Sequence, residues 1–462
     1  MYNENKSEMN NNHFIENLKN QLIKPETTLA DLPVKQQFEI IRSKAAIHSE
    51  AIIPKHGQRG ELLELLEHSK ETGKPLNIKF GIDPTGPDIH MGHAISLLML
   101  RRFQWMGHHI ELVVGDFTAG IGDPSGKTSE RKVITDRDIK KNMSTYISQL
   151  SRILDMDQKL KVKVSYNSEW LSDMTMKKWM PILHKISGNQ LFNREDFSKR
   201  LKSGGMVSAA EILYPLFMAY DSVVTKPDIE LGGVDQLLNL HWCRELMQLN
   251  DQPKEMFILV DLLPGTSGEK DSENQFVKMS KSKNNYIMIN EEPREIYGKV
   301  MSIPDKIMWI WFRELTEITT QDLETLKDLV DREEFHPMEA KRLLARAIVG
   351  TFNHYNKDTI NSAENSFNQK FGKERILIPD DTEKIETPSG KRLIDALSEA
   401  TGESKTNLKK MVNQKKGSGI KILEGEQFEN ASVEDLVGKT ITKKEDTIAR
   451  VGKRRFFKFI AK

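Results

Sequence analysis

The chain has 462 residues, with 68 Lys+Arg against 67 Asp+Glu and a hydrophobic fraction of 38%. That is an ordinary soluble composition, long enough for two or three domains, and a net charge of +1 argues against a wholly basic nucleic-acid binder. The single cysteine, Cys243, excludes an internal disulfide and a Cys-based zinc site. No apolar run approaches the roughly 20 residues of a membrane helix, so the expected setting is a reducing, cytoplasmic one with no protein-bound metal.

The first dozen residues are rich in Asn and Glu and lack an apolar core, unlike a secretory signal. They predict a flexible or loosely docked extension over residues 1–34. Residues 13–75 read as helices, with Leu62-Leu63-Glu64-Leu65-Leu66 in an amphipathic run that stops at Thr72-Gly73-Lys74-Pro75. Strand and helix patterns then alternate. Strands are expected at Asn77–Ile82, His109–Asp116, Lys161–Tyr166 and Phe257–Val260, with a helix from His93 to Trp105. This alternation implies a doubly wound, parallel-sheet, Rossmann-like α/β domain over residues 35–292. Ligands of such sheets bind beyond the carboxyl ends of the strands. Residues 293–371 read as a helical domain and 372–387 as a linker. Residues 388–462 read as a small α+β module with 17 Lys+Arg against 10 Asp+Glu, so this basic end invites a polyanionic partner.

Two short stretches carry phosphate chemistry. Asp83-Pro84-Thr85-Gly86-Pro87-Asp88-Ile89-His90-Met91-Gly92-His93 is a tight loop after a strand, opening a helix. Helix N-termini attract anions, Gly92 allows close approach, and neutral or charged imidazoles donate to phosphate oxygens. Lys278-Met279-Ser280-Lys281-Ser282 offers two ammonium groups and two hydroxyls, after a polar, glycine-containing stretch suited to closing on a transition state. Between them, Gly120 to Thr128 ends like a P-loop, but the position that must be glycine is Ile121. Asp123, Lys127 and Arg131 are expected to point into a nucleotide site instead. Tyr214 and Asp221, seven residues apart, share one helix face, where a phenol and a carboxylate suit a polar or aromatic ligand. Leu231-Gly232-Gly233-Val234-Asp235-Gln236 brings backbone close to a ligand, with Asp235 suited to ribose hydroxyls and Gln236 to a carboxylate or phosphate.

The ordered set of Asp-Pro-Thr with His-x-Gly-His, Gly-Asp-Pro-Ser-Gly-Lys, Tyr-x6-Asp, Gly-Gly-x-Asp-Gln and Lys-Met-Ser-Lys-Ser resembles the bacterial tyrosyl-tRNA synthetases. The likeness is to the class I branch with a plain KMSKS motif, and it runs from about residue 35 to the C-terminus. It implies ligation of tyrosine to tRNA(Tyr) through tyrosyl-adenylate, with ATP and Mg²⁺, by a homodimer. On that resemblance His90 and His93 would stabilise the ATP phosphates, with Lys127 and Arg131 helping in the transition state and Lys278 and Lys281 gripping pyrophosphate. Gly81, Asp83, Gly92, Asp235, Met279, Ser280 and Ser282 would bind ATP. Lys79, Asp123, Tyr214, Met218, Asp221 and Gln236 would form the amino-acid pocket, with Tyr214 and Asp123 at the α-amino group and Asp221 accepting from the phenol. Residues 388–462 resemble the family's terminal RNA-binding domain, with Lys409, Lys410, Lys453, Arg454 and Arg455 on RNA.

One position departs from the pattern. Met218 stands where the family has a glutamine in Tyr-x3-Gln-x2-Asp, and a thioether cannot replace two amide hydrogen bonds. The alternative readings are therefore a paralogue for a different or modified amino acid and an inactive, synthetase-like RNA-binding protein.

Overall fold

The computed structural model describes residues 2–25, 27–46, 61–125, 134–156, 162–192, 195–371, 382–412, 419–424, 427–442, 447–452 and 455–462. The chain divides into two compact units, Met1–Ile360 and Asn361–Lys462.

The first unit is built on a five-stranded sheet. Its strands are β1 (Asn77–Ile82), β2 (His109–Val114), β3 (Val162–Tyr166), β4 (Ile229–Gly233) and β5 (Met256–Val260). Every pairing is parallel and the order is β3-β2-β1-β4-β5. The chain thus winds outward one way from β1 through β3, then crosses to β4 and β5. Such a reversal opens a crevice at the carboxyl ends of the two central strands. The expected α/β fold is the observed one, and four of the five strands coincide with the expected stretches to within a residue or two. The fifth, β4, was hidden because its Gly232-Gly233 pair reads as a loop. Its burial is continuous from Ile229 to Gly232, as in a strand covered on both faces.

The Met91–Trp105 helix, buried over most of its length, follows β1 and packs on the sheet. Its C-terminal end is clamped by Glu317, which takes hydrogen bonds from Arg101 Nη2 (2.9 Å) and Arg102 Nε (2.8 Å). Helices Pro293–Met301, Asp305–Leu315, Thr320–Asp331 and Pro337–Thr351 complete this unit. Residues 2–23 form one helix, which takes in the first residues as well as the helical reading from residue 13, and Leu18, Leu22 and Ile23 are buried. The spacing of those apolar residues gives this helix a stripe to bury, and it packs against Pro337–Thr351.

The second unit holds a mixed sheet of β6 (Glu383–Thr387), β7 (Ile420–Glu424), β8 (Gln427–Asn430), β9 (Thr447–Val451) and β10 (Arg455–Ala461), in the order β6-β10-β9-β7-β8. Its core, which includes Leu393, Leu397, Leu408, Ile422, Leu436, Phe457 and Phe459, is separate from that of the first unit. Lys409 and Lys410 lie exposed on the Lys405–Val412 helix, and Arg455 is exposed at the start of β10. Lys453 and Arg454 fall outside the described residues.

Candidate active site

The carboxyl edge of the sheet collects the residues singled out from the sequence. The end of β1 leads to Asp83 and the His-x-Gly-His turn. The end of β2 leads to Thr118 and Asp123, that of β3 to Asn167 and Trp170, and that of β4 to Asp235 and Gln236.

The two phosphate motifs, far apart in sequence, are joined through backbone. Met91 N donates to Ile287 O (2.9 Å) and Ile289 N to Ile89 O (3.0 Å), so the segment after Lys-Met-Ser-Lys-Ser lies against the turn before the helix. His90 is the N-cap residue and stacks on His93, with ring centroids 3.7 Å apart. A Cβ on Gly92 would come within 3.0 Å of the His90 ring and 3.4 Å of Met279 Cβ, so a side chain there would press on the His90 imidazole. Burial, and then the Lys281 and Lys278 ammonium groups, push the His90 imidazole down to about 4. It is therefore neutral near pH 7 and has a single N–H to donate. Its Nδ1 is buried without a partner among the described residues.

The loop before the turn is pinned from the Asp136–Leu150 helix. Asn142 Nδ2 donates to Pro84 O (2.8 Å), Gln149 Nε2 donates to Pro87 O (2.8 Å) and Gln149 Oε1 accepts from Ile89 N (2.7 Å). The lysines of the second motif are engaged by protein acceptors. Lys278 Nζ sits 2.8 Å from Asp235 Oδ2, and Lys281 Nζ donates to Asp88 O at 2.7 Å. Asn285 shapes this loop by accepting from Ser280 N (2.8 Å). The Ser280 and Ser282 hydroxyls lie 3.3 Å apart, and Met279 is buried.

The cluster around Tyr214 and Asp221 is denser. The Ala209–Thr225 helix begins in a capping box of Ser208 and Glu211 and carries Tyr214, Met218 and Asp221 at four- and seven-residue spacing, on one face. Tyr214 donates to Asp83 Oδ2 (2.9 Å), and Thr118 Oγ1 donates to Asp83 Oδ1 (2.8 Å). A Cβ on Gly115 would meet Asp83 Oδ1 at 2.0 Å, so Asp83 reaches this position only across a glycine. Asp221 is 4% exposed and accepts from Trp170 Nε1 (2.8 Å) and Asn167 Nδ2 (3.3 Å). The other hydrogen of the Asn167 amide serves Thr118 Oγ1 (3.0 Å). A continuous chain of hydrogen bonds thus runs from Trp170 through Asp221, Asn167, Thr118 and Asp83 to Tyr214. Burial pushes the Asp221 carboxyl up to about 7, against the pull of Lys79, Trp170 and Asn167.

A second network surrounds Asp123. Its carboxylate accepts from Gln236 Nε2 (2.8 Å), Asn239 Nδ2 (3.4 Å) and Ser125 N (2.9 Å). Asn239 also donates to Gln236 Oε1 (2.9 Å). Tyr214 and Asp123, expected to act together, are bonded here to different partners, Asp83 and Gln236. Met218 packs among Cys243, Met247, Leu240 and neighbouring apolar residues. Lys79, expected in the pocket, is fully buried with its ammonium on Ser222 and Glu230. Gly81, at the end of β1, is exposed, and a Cβ there would meet nothing within 4 Å. Lys127 and Arg131 lie outside the described residues.

Asn167, Trp170, Thr118, Asn239 and Gln149 were missed. Asn167 had a signal, since it directly follows a strand at the edge where ligands bind. Asn239 sits inside a helix and had none.

Comparison with known proteins bears on this arrangement. The model of the class I tRNA synthetases (W and Y) matches residues 70–372. A tyrosine–tRNA ligase of Carboxydothermus hydrogenoformans is 36% identical over 436 residues, covering 92% of this chain and 98% of that protein. The tyrosine–tRNA ligase of Geobacter metallireducens is 37% identical, covering 93% and 100%. Among solved structures, a C-terminally truncated mitochondrial tyrosyl-tRNA synthetase of Aspergillus nidulans aligns with a TM-score of 0.56 at 18% identity, over 77% of this chain and all of that one, a likeness of fold.

Proposed function

The chain belongs to the class I tRNA synthetases of the tryptophan and tyrosine branch, and from that premise we infer that it joins tyrosine to tRNA. The observation that carries tyrosine is Asp221, a buried carboxylate oriented by Trp170 and Asn167 at the carboxyl edge of the sheet. A phenol hydroxyl donates to such an acceptor, and an unsubstituted ring leaves it underpaired. The two alternative readings, a different amino acid and an inactive RNA-binding protein, find no support. The relatives that match nearly the whole chain are tyrosine–tRNA ligases.

ATP is the co-substrate, entering as its Mg²⁺ complex. The tyrosine carboxylate oxygen attacks the α-phosphorus, the bond to the bridging oxygen breaks, and pyrophosphate leaves. The tyrosyl group then passes to a hydroxyl at the tRNA 3′ end, releasing AMP. No side chain acts as nucleophile, so catalysis is positioning and charge stabilisation. Neutral His90 and His93 donate to the phosphates. Lys278 and Lys281 exchange Asp235 and Asp88 O for phosphate oxygens, which leaves Asp235 free for the ribose. Asp123, oriented by Gln236 and Asn239, holds the substrate ammonium, while Tyr214 and Asp83 line the path between the two ends. Lys127 and Arg131 add charge in the transition state.

The second unit is the tRNA-binding module, supported by its separate core and the exposed Lys409, Lys410 and Arg455. The helical segment from residue 293 faces the anticodon side. A homodimer is supported by the exposed apolar residues Met176, Met180, Phe192, Leu201 and Met206. A cytoplasmic location is supported by the bacterial relatives.

Pyrophosphate exchange across the amino acids tests the assignment: L-tyrosine should be preferred, and preference for another amino acid would refute it. Removal of residues 388–462 should spare exchange and impair charging of tRNA. Unimpaired charging would remove that module from the tRNA interface.

A further inference from the structure

Beneath Asp221 lies a set of ionisable side chains that the reaction does not touch. β1 contributes Lys79, β4 Glu230, the residue before β5 Glu255, the Ala209–Thr225 helix Ser222 and the Leu237–Leu249 helix Cys243, all exposed by 1% or less. Strand register places Lys79 beside Glu230, and their side chains meet at 2.9 Å. Lys79 Nζ donates to Ser222 Oγ (2.8 Å), which lies 3.1 Å from Glu230 Oε2 and 3.2 Å from Glu255 Oε1. Ser222 is the neighbour of Asp221 in the chain.

One ammonium faces three buried carboxyl groups, Glu230, Glu255 and Asp221, and buried carboxylates without a partner take up protons. Glu255 is the one that holds its proton, since burial and the charge of Glu230 push it well above the carboxylate range. Lys79 neutralises Glu230, whose own carboxyl is held low by that ammonium despite burial. Glu230, Cys243 and Glu255 also bring donor atoms within 4.8 Å of one another, as a small cation would require. The Lys79 ammonium already supplies the positive charge there.

We propose that Lys79, Glu230 and Glu255 form a buried charge-setting group that governs the protonation of Asp221, so that Lys79 is a positioning residue for phenol recognition. The proposal rests on the reading of Asp221 as the phenol acceptor. Of the charged groups acting on Asp221, β1 presents Lys79 and β4 Glu230; Glu255 and Cys243 act on those two in turn. The segment after β3 presents only Asn167 and Trp170, which do not titrate here. Both of these donate to the anion, and the field of Lys79 opposes the effect of burial on Asp221.

The test is tyrosine-dependent pyrophosphate exchange against pH, with KM for tyrosine separated from kcat. In the wild type, KM for tyrosine rises on the acid side as Asp221 takes up a proton. Lys79→Met should move that limb upward by about one to three pH units, with kcat at saturating tyrosine little changed. The double variant Glu230→Gln/Glu255→Gln leaves Lys79 facing Asp221 alone and should move the limb downward. Glu255→Gln, which imitates the protonated acid, should leave it in place. Shifts of the same sign in Lys79→Met and the double variant, or no shift in the double variant, would overturn the proposal. If Lys79→Met does not fold, the double variant measured against Glu255→Gln still decides by its sign. A wild-type protein that exchanges no pyrophosphate with tyrosine would instead refute the functional reading.

Discussion

The two ends of the candidate site are built differently. At the amino-acid end, Asp221 is buried and its carboxylate is held by two fixed donors, with Asn167 tying it to Thr118 and Asp83. At the phosphate end, the cations are partly exposed and bonded to protein oxygens, Lys278 to Asp235 and Lys281 to Asp88. The difference suits the chemistry proposed for each end. Telling a phenol from a bare ring requires an acceptor already stripped of water, because a polar group left unpaired there is costly. Stabilising charge that develops only during reaction requires cations that can leave one set of oxygens for another.

The largest test of this contrast is at Asp221. The wild type should reject phenylalanine by roughly 10⁴–10⁵ relative to tyrosine, and Asp221→Ala should remove most of that ratio in pyrophosphate exchange. Retained discrimination would place phenol recognition elsewhere. Next comes the anchor at the far end of the helix that the phosphate turn opens. Glu317→Gln leaves Arg101 and Arg102 buried without their counter-charge and should cost about 3–5 kcal/mol in chemical denaturation. Burial alone would raise the Glu317 carboxyl, but Arg102 and Arg101 hold it at about 2, below its ordinary 4.5. A depressed carboxyl contributes its full stability above the ordinary value and loses it as pH falls toward the depressed one. The stability difference between wild type and Glu317→Gln should therefore shrink between pH 4.5 and about 2, and a gap independent of pH would contradict the ion pair.

At the phosphate end, Lys281→Ala should slow adenylate formation by roughly 10²–10³ while leaving ATP binding nearly intact. Equal losses in rate and binding would mean that the lysine is no more mobile than Asp221, and the contrast would fail. The smallest effect is expected at Met218. Its side chain is packed in apolar surroundings while Asp123 is already oriented by Gln236 and Asn239. Met218→Gln should then change KM for tyrosine by less than about tenfold, the worth of a single ordinary hydrogen bond. A much larger gain in affinity would show that the amino end of the pocket lacks a partner.

Much of this was legible in the residues. The strand–helix alternation gave the sheet, and fixed spacings gave the phosphate turn, the Tyr214–Asp221 face and the lysine loop. β4 was not legible, because its Gly232-Gly233 pair looks like a turn when the neighbouring strands are unseen. The start of the first helix was hidden for a related reason: the first dozen residues are polar, and the apolar stripe of Leu18, Leu22 and Ile23 lies further along, where the helix packs against Pro337–Thr351.

By itself, the sequence determined the reaction class and the inventory of groups, because phosphate binding and phenol recognition depend on residue types at short, fixed separations. Only the tertiary structure decided which groups are partners. Tyr214 meets Asp83 across 131 residues, and Asn167 meets Asp221 across 54. Lys79 faces inward to Glu230 because strand order sets β1 beside β4. Charge state, burial and hydrogen-bond partnership are properties of long-range packing, and no local pattern encodes them.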